Sequence, residues 1–187
     1  MKEWTYLTSN PFEARYAIAA HYLQQTSRRV LEVGGYKNPL DSFAWSTCLE
    51  SITVVDPLIQ PKDVYIPRCN AHLTDCHVLH IPSLIEKFQV EENYDGFLCL
   101  GMHLFDKALA RCISIMEGVA VAVIGIPTDF PPSVDNLETI LKTGKFTKVI
   151  TVDLDLSAND YKLPSNSFPV RPYRRLVVLK PVQGVEE

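Results

Sequence analysis

The chain is short of the features that mark a membrane or nucleic-acid protein. No apolar run reaches the roughly 18 residues of a membrane span, and the opening Met1-Lys2-Glu3-Trp4-Thr5-Tyr6 has no signal-peptide core. A cytoplasmic chain with no membrane partner is expected. Positive charge is in deficit: 18 Lys and Arg against 22 Asp and Glu give a formal net charge of -4. That balance does not attract a phosphate backbone, and no basic stripe with interleaved aromatics appears, so nucleic acid is not an expected partner. Internal repeats, low-complexity tracts and linkers are also missing, and 187 residues suit one domain over 1–187 with a sizeable core.

Cysteine is too sparse and too odd in number for a disulfide framework: Cys48, Cys69, Cys76, Cys99 and Cys112. Cys99 and Cys112 sit in apolar patterns, where a free thiol packs as a small hydrophobe. Cys69-x-x-His72-x-x-x-Cys76-x-x-x-His80 offers two thiols and two imidazoles. The spacing fits no familiar zinc site, His77 adds a third imidazole, and Pro67 and Pro82 bracket a stretch that a loop explains, so no metal is expected.

What is present is concentrated in three stretches: Val30-Leu31-Glu32-Val33-Gly34-Gly35, Ile52-Thr53-Val54-Val55-Asp56, and Tyr94-Asp95-Gly96-Phe97-Leu98-Cys99-Leu100-Gly101. Each is an apolar run of strand length that ends in an acid or a glycine. Such runs mark buried parallel strands, whose carboxyl ends bind nucleotide-type ligands in open α/β sheets.

Helical periods alternate with these runs. Asn10-Pro11 starts a helix in which Phe12, Tyr16, Ala19, Ala20 and Leu23 share a face to about residue 25. Strands are expected at 29–33, 52–55, 96–100 and 119–126, with helices at 41–49, 83–88 and 105–116 and one capped by Ser133 and ended by Gly144. The segment after Asp56 is the least regular. A strand at 64–66 would leave 57–63 for the connection, less than a parallel crossover needs. Two late β-rich runs, 147–156 and 175–180, read as an antiparallel pair joined by a Pro-, Ser- and Asn-rich functional loop. The expected fold is a doubly wound α/β protein: a mostly parallel sheet, helices on both faces and an antiparallel C-terminal strand.

The order strand-Glu-x-Gly-Gly, strand-Asp, then Tyr-Asp-x-x-x-x-Leu-Gly before a helix resembles the class I S-adenosylmethionine-dependent methyltransferases, over roughly residues 12–181. The resemblance implies S-adenosylmethionine as cofactor and methyl transfer as the activity. It places the methionine half of the cofactor at Glu32, Gly34, Gly35 and Tyr36, and the ribose at Asp56 and Pro57. Adenine falls to Asp75 and Cys76, and the loop across the site to Leu100, Gly101 and Met102, with His103 as a candidate base. The glycines are physically apt, because a backbone without Cβ can turn sharply and approach a ligand. Asp56, 24 residues after Glu32, ends its strand where a carboxylate can accept two hydrogen bonds from a ribose diol, although Asp-Pro also starts turns.

The chain departs from the family's Gly-x-Gly-x-Gly pattern, since Tyr36, Lys37 and Asn38 follow Gly34-Gly35. The change hurts a dinucleotide reading more: Gly-x-Gly-x-x-Gly counted from Gly34 meets Tyr36 and Pro39. It also leaves open an aminocarboxypropyl transfer or a cyclisation of the methionine part, or a binding or scaffold protein of the same fold without activity. The Asn/Asp-Pro-Pro-Tyr loop of enzymes methylating base or glutamine amino groups is absent, so a small-molecule acceptor is expected. Its walls would come from Trp4, Tyr6, Arg15 and Tyr16, from Asp129 and Phe130, and from Arg171, Tyr173 and Arg174. A homodimer is compatible with this reading.

Overall fold

A computed structural model describes residues 11–35, 40, 49–58, 76–100, 106–155 and 173–182. Helix α1, Pro11–Thr26, has proline at its first position, where the missing N–H costs nothing. Tyr16, Ala19, Ala20 and Leu23 form its buried face at the expected spacing. Strands β1 (Arg29–Val33), β2 (Ser51–Val55), β3 (His77–Ile81) and β4 (Gly96–Leu100) follow, then α2 (Asp106–Met116), β5 (Val121–Pro127), α3 (Pro131–Lys142), β6 (Phe146–Asp155) and β7 (Tyr173–Pro181).

The seven strands form one sheet in the order β3-β2-β1-β4-β5-β7-β6. The first five are parallel neighbours, and β7 runs antiparallel to both β5 and β6. All residues of β4 and β5 are buried, as expected for strands covered on both faces. One face packs Leu31, Phe97, Cys99 and Ile124 against α2 and α3. The other packs Val30, Leu98, Val123 and Leu176 against α1.

The amino edge of the sheet is fastened by Asp95. Its Oδ1 accepts the amides of Arg28 and Arg29, both at 2.8 Å. Its own carbonyl accepts the Ala120 amide at 2.8 Å, so one residue joins the starts of β1, β4 and β5. Gly96 is needed beside it, because a Cβ there would lie 2.6 Å from Ser27 Oγ.

Three expectations change. The strand after β2 is His77–Ile81, which pairs parallel with β2 in register Ser51↔His77 to Val55↔Ile81. Residues 56–76 therefore make the connection, well above the dozen that a crossover requires. Residues 83–88 hold a turn rather than a helix: the amides of Lys87 and Phe88 reach back to the Leu84 carbonyl, and burial of Ile85 and Phe88 needs only that turn. Ser133 does not cap α3. The cap position is Phe130 and two prolines open the helix, so Ser133 is carried into its first turn and buried. Gly144, at φ 70°, does end that helix. The expected helix at 41–49, apart from Leu49, and the doubtful strand at 64–66 fall outside the described residues.

Candidate functional site

The parallel strands end in register along one edge, and their order reverses between β1 and β4. That is the switch point where open α/β sheets form a ligand crevice. Directly after β1, Gly34 adopts φ 84°, a conformation that L side chains rarely take. Its amide donates to the Val55 carbonyl at 3.0 Å, which ties the turn to the end of β2. Gly35 then passes over the Glu32 carboxylate so closely that a Cβ would lie 2.6 Å from Cδ and 2.7 Å from Oε1.

Glu32 is 1% exposed, on the α1 face of the sheet. Its Oε2 accepts the Leu40 amide at 2.6 Å, and the Tyr16 hydroxyl of α1 donates to the same carboxylate. Burial, and then the Glu32 charge, push the Tyr16 phenol well above its ordinary pKa. Helix, strand and loop thus converge on one buried acid, which holds the Gly34-Gly35 turn in place.

Asp56 follows β2 and is buried. Its Oδ1 accepts the Leu58 amide at 2.8 Å, closing an Asx turn, and its own amide donates to the Ile81 carbonyl at 3.1 Å. Pro57 is exposed beside it. Leu100 ends β4 on the α1 face, buried against Gly125 of β5, where a Cβ would come within 2.6 Å of Leu100 Cδ2.

The far half of the edge is formed by β5 and β7. Asp129 is exposed after β5, and Phe130 is half-buried at the cap of α3. Tyr173 is exposed at the start of β7. Arg174, opposite Pro127, is buried, as is Arg15 of α1. Burial, and after it the positive charge of Arg174, lower the Arg15 pKa to about 10.

Glu32, Gly34, Gly35, Asp56, Pro57, Leu100, Asp129, Phe130, Arg15 and Arg174 are therefore brought to one edge. Cys76 is not. It precedes β3 at the amino edge, a strand length of roughly 16 Å from the carboxyl end. The carboxyl end of the third strand is instead formed by Ile81, with Pro82 and Ser83 after it, which sequence reading missed along with β3 itself. The available signal was the apolar trio Val78, Leu79 and Ile81 before Pro82, with His77 ahead of it and His80 interrupting it. Tyr16, expected as a wall of the acceptor site, is instead the partner of Glu32, in keeping with the need of a tyrosine on an apolar helix face for a hydroxyl partner. Tyr6, Tyr36, Asp75, Gly101, Met102, His103 and Arg171 lie outside the described residues, as do Trp4, Cys69 and His72. Among the described residues no cluster of three or more metal-ligating side chains occurs, and no helix is long and apolar enough to cross a membrane.

No protein-family model and no curated protein sequence matches the chain. Solved structures do. The N-methyltransferase NodS from Bradyrhizobium japonicum WM9, in complex with S-adenosyl-L-homocysteine, aligns at a TM-score of 0.62 and 17% identity, covering 95% of this chain and 91% of that one. The 1,6-didemethyltoxoflavin-N1-methyltransferase of Burkholderia thailandensis, with bound S-adenosylhomocysteine, aligns at 0.59 and 15% identity over 90% and 79%. An rRNA methylase from Streptococcus thermophilus aligns at 0.59 and 16% identity over 89% and 95%. With its 3-2-1-4-5-7-6 strand order and antiparallel final strand pair, the chain has the fold of the class I S-adenosylmethionine-dependent methyltransferases.

Proposed function

We propose that the chain transfers the methyl group of S-adenosylmethionine to a small-molecule acceptor. The observation that carries the reading is the Gly34-Gly35 turn, clamped over the Glu32 carboxylate and tied to β2 beside Asp56 at the switch point of the sheet. The residues fit the cofactor. Backbone without Cβ faces the crevice, and a buried negative charge beneath it complements an ammonium group. A second carboxylate ends the neighbouring strand, where a ribose diol can be held. When bound, the cofactor supplies an electrophilic methyl on a sulfonium.

This chain's part is mainly positioning. Glu32 and Tyr16 set the turn, Asp56 orients the ribose, Leu100 and α1 exclude water, and the β5 and β7 ends hold the acceptor. Tyr36, Gly101 and Met102 complete the cofactor walls and His103 serves as base on the strength of the motif; Asp75 is the remaining adenine-side candidate. The net charge of -4 favours a small acceptor over RNA.

Calorimetric titration tests the cofactor. S-adenosylmethionine and S-adenosylhomocysteine should bind in the micromolar range and NAD should not. Tight NAD binding without a response to the sulfonium would refute the reading. Product analysis separates the reactions: S-adenosylhomocysteine signals methyl transfer, and methylthioadenosine signals aminocarboxypropyl transfer or cyclisation. With an acceptor in hand, His103→Ala should lower turnover about 100-fold to 10,000-fold with cofactor affinity retained.

A further inference from the structure

β6 closes one side of the sheet: among the described residues it pairs with β7 alone, and its other edge faces outward. It is ten residues long, against five for β3 at the opposite side. A long edge presents a row of backbone donors and acceptors that another strand can take. Thr147 to Thr151 and Asp153 are all exposed. Val149 is 49% and Ile150 37% exposed, so two large apolar side chains stand in water on this edge.

A bulge gives the edge a symmetric pattern. The ladder to β7 pairs Lys148 with Leu179, Thr151 with Val177 and Asp153 with Arg175, so these three side chains share one face. Ile150 and Val152, opposite Val178 and Leu176, share the other. Val149 is the extra residue, where the register shifts between Lys148 and Ile150. Counted along the ladder, Lys148 therefore stands two steps from Thr151 on one side and Asp153 two steps on the other, with Ile150 and Val152 one step each way. A regular strand would turn Lys148 to the face opposite Asp153.

Such a strand is complementary to itself. Laid antiparallel against a second copy about a twofold axis through Thr151, Lys148 of each chain meets Asp153 of the other on one face, and Ile150 meets Val152 on the other face. A lysine and a bulge ordinarily keep an edge from pairing. Here the same two features match a second copy and mismatch most other strands. Asp153 keeps its own bidentate contact with Arg175, at 2.6 and 3.0 Å, and its side chain, 62% exposed, has room for a second cation.

We infer that the outer edge of β6 is the interface for a second copy of this chain, with one sheet running continuously through both. The inference is independent of the methyl-transfer reading. The interface lies four strand spacings from β1, roughly 19 Å, and leaves the cofactor crevice outside it.

Sedimentation equilibrium of the full chain should show a dimer with micromolar dissociation, the strength of a small interface. Lys148→Glu sets carboxylates against each other across the axis, and Asp153→Lys sets ammonium groups against each other. Each variant alone should weaken the dimer about tenfold or more. An equimolar mixture of the two should dimerise as the parent does, because every contact again joins opposite charges. Thr151→Cys reads the register: on the axis the two positions lie about 4.5 to 5.5 Å apart at Cα, within disulfide reach. Mild oxidation should then give a covalent dimer on a non-reducing gel, well above the level of the parent with its own five cysteines and of Thr147→Cys. A parent that stays monomeric at about 100 µM, above the affinity expected, overturns the inference. So does a dimer that Lys148→Glu leaves intact, or one in which Thr151→Cys crosslinks no better than Thr147→Cys. If Asp153→Lys does not fold for want of its Arg175 contact, Lys148→Glu and the crosslink decide.

Discussion

Replacing Gly35 with alanine tests the central claim about the site, that a buried carboxylate holds the turn after β1. Gly35 is not among the positive-φ glycines, so the substitution probes space rather than backbone conformation. The new methyl would sit 2.6 to 2.9 Å from Cδ, Oε1 and Oε2 of Glu32, closer than Cβ atoms pack. Glu32 cannot swing aside without releasing the Leu40 amide and the Tyr16 hydroxyl. Hydrogen bonds to a charged group contribute about 1.5 to 3 kcal/mol each, so either the carboxylate loses one or the turn moves. A destabilisation of about 2 to 4 kcal/mol is expected, with a fall in Tm of roughly 5 to 15 °C for a chain of this size. S-adenosylhomocysteine affinity should drop at least tenfold, since the displaced turn is the cofactor wall. Urea unfolding and calorimetry on the same preparation read both effects. A double mutant with Glu32→Ala should cost less than the two single changes together, by about 1 kcal/mol or more, because the clash disappears with the carboxylate. A Tm within about 2 °C of the parent, with unchanged affinity, would refute the clamp.

Asp56→Ala should weaken cofactor binding by about 1.5 to 3 kcal/mol and also lower the stability of the cofactor-free protein by about 1.5 to 3 kcal/mol, the scale of the Leu58 amide bond to a charged group; unaltered affinity in calorimetry would return Asp56 to a turn role. Asp95→Ala should affect stability alone, lowering it by about 2 to 3 kcal/mol in urea titrations through loss of the Arg28 and Arg29 amide contacts, with cofactor affinity unchanged at the opposite edge. Tyr16 carries a pH signature: its folded pKa is raised above 10.0, so the stability it confers is fully present below pH 10 and is lost as pH rises beyond it. Tyr16→Phe should lower stability at neutral pH and flatten this alkaline decline relative to the parent, measured by thermal melts from pH 9 to 11. Parallel melting profiles for the two proteins would exclude the burial of this hydroxyl on Glu32.

Much of the architecture was legible because buried parallel strands are apolar on both faces and short, and because helices repeat at 3.6 residues. β1, β4, α1 and α2 were readable for that reason within one or two residues, and so were the glycine turn and the acid after β2. β3 was not, because an edge strand with exposed Val78 and Leu79 and two histidines does not look buried, and that single omission moved the adenine-side expectation to Cys76 at the wrong edge. Ser133 misled for a related reason: local capping preference yields where Pro131 and Pro132 start the helix earlier. The sequence by itself determined β1, β2, β4, β5, the late strand pair and the helices α1 to α3, and that acids and glycines end the strands, since these follow from local composition and period. Only tertiary structure decided that Tyr16 closes on Glu32, that Asp95 serves stability at the far edge, and that Arg15 and Arg174 are buried. Those contacts depend on strand order and on which helix covers which face, and no local pattern carries that information.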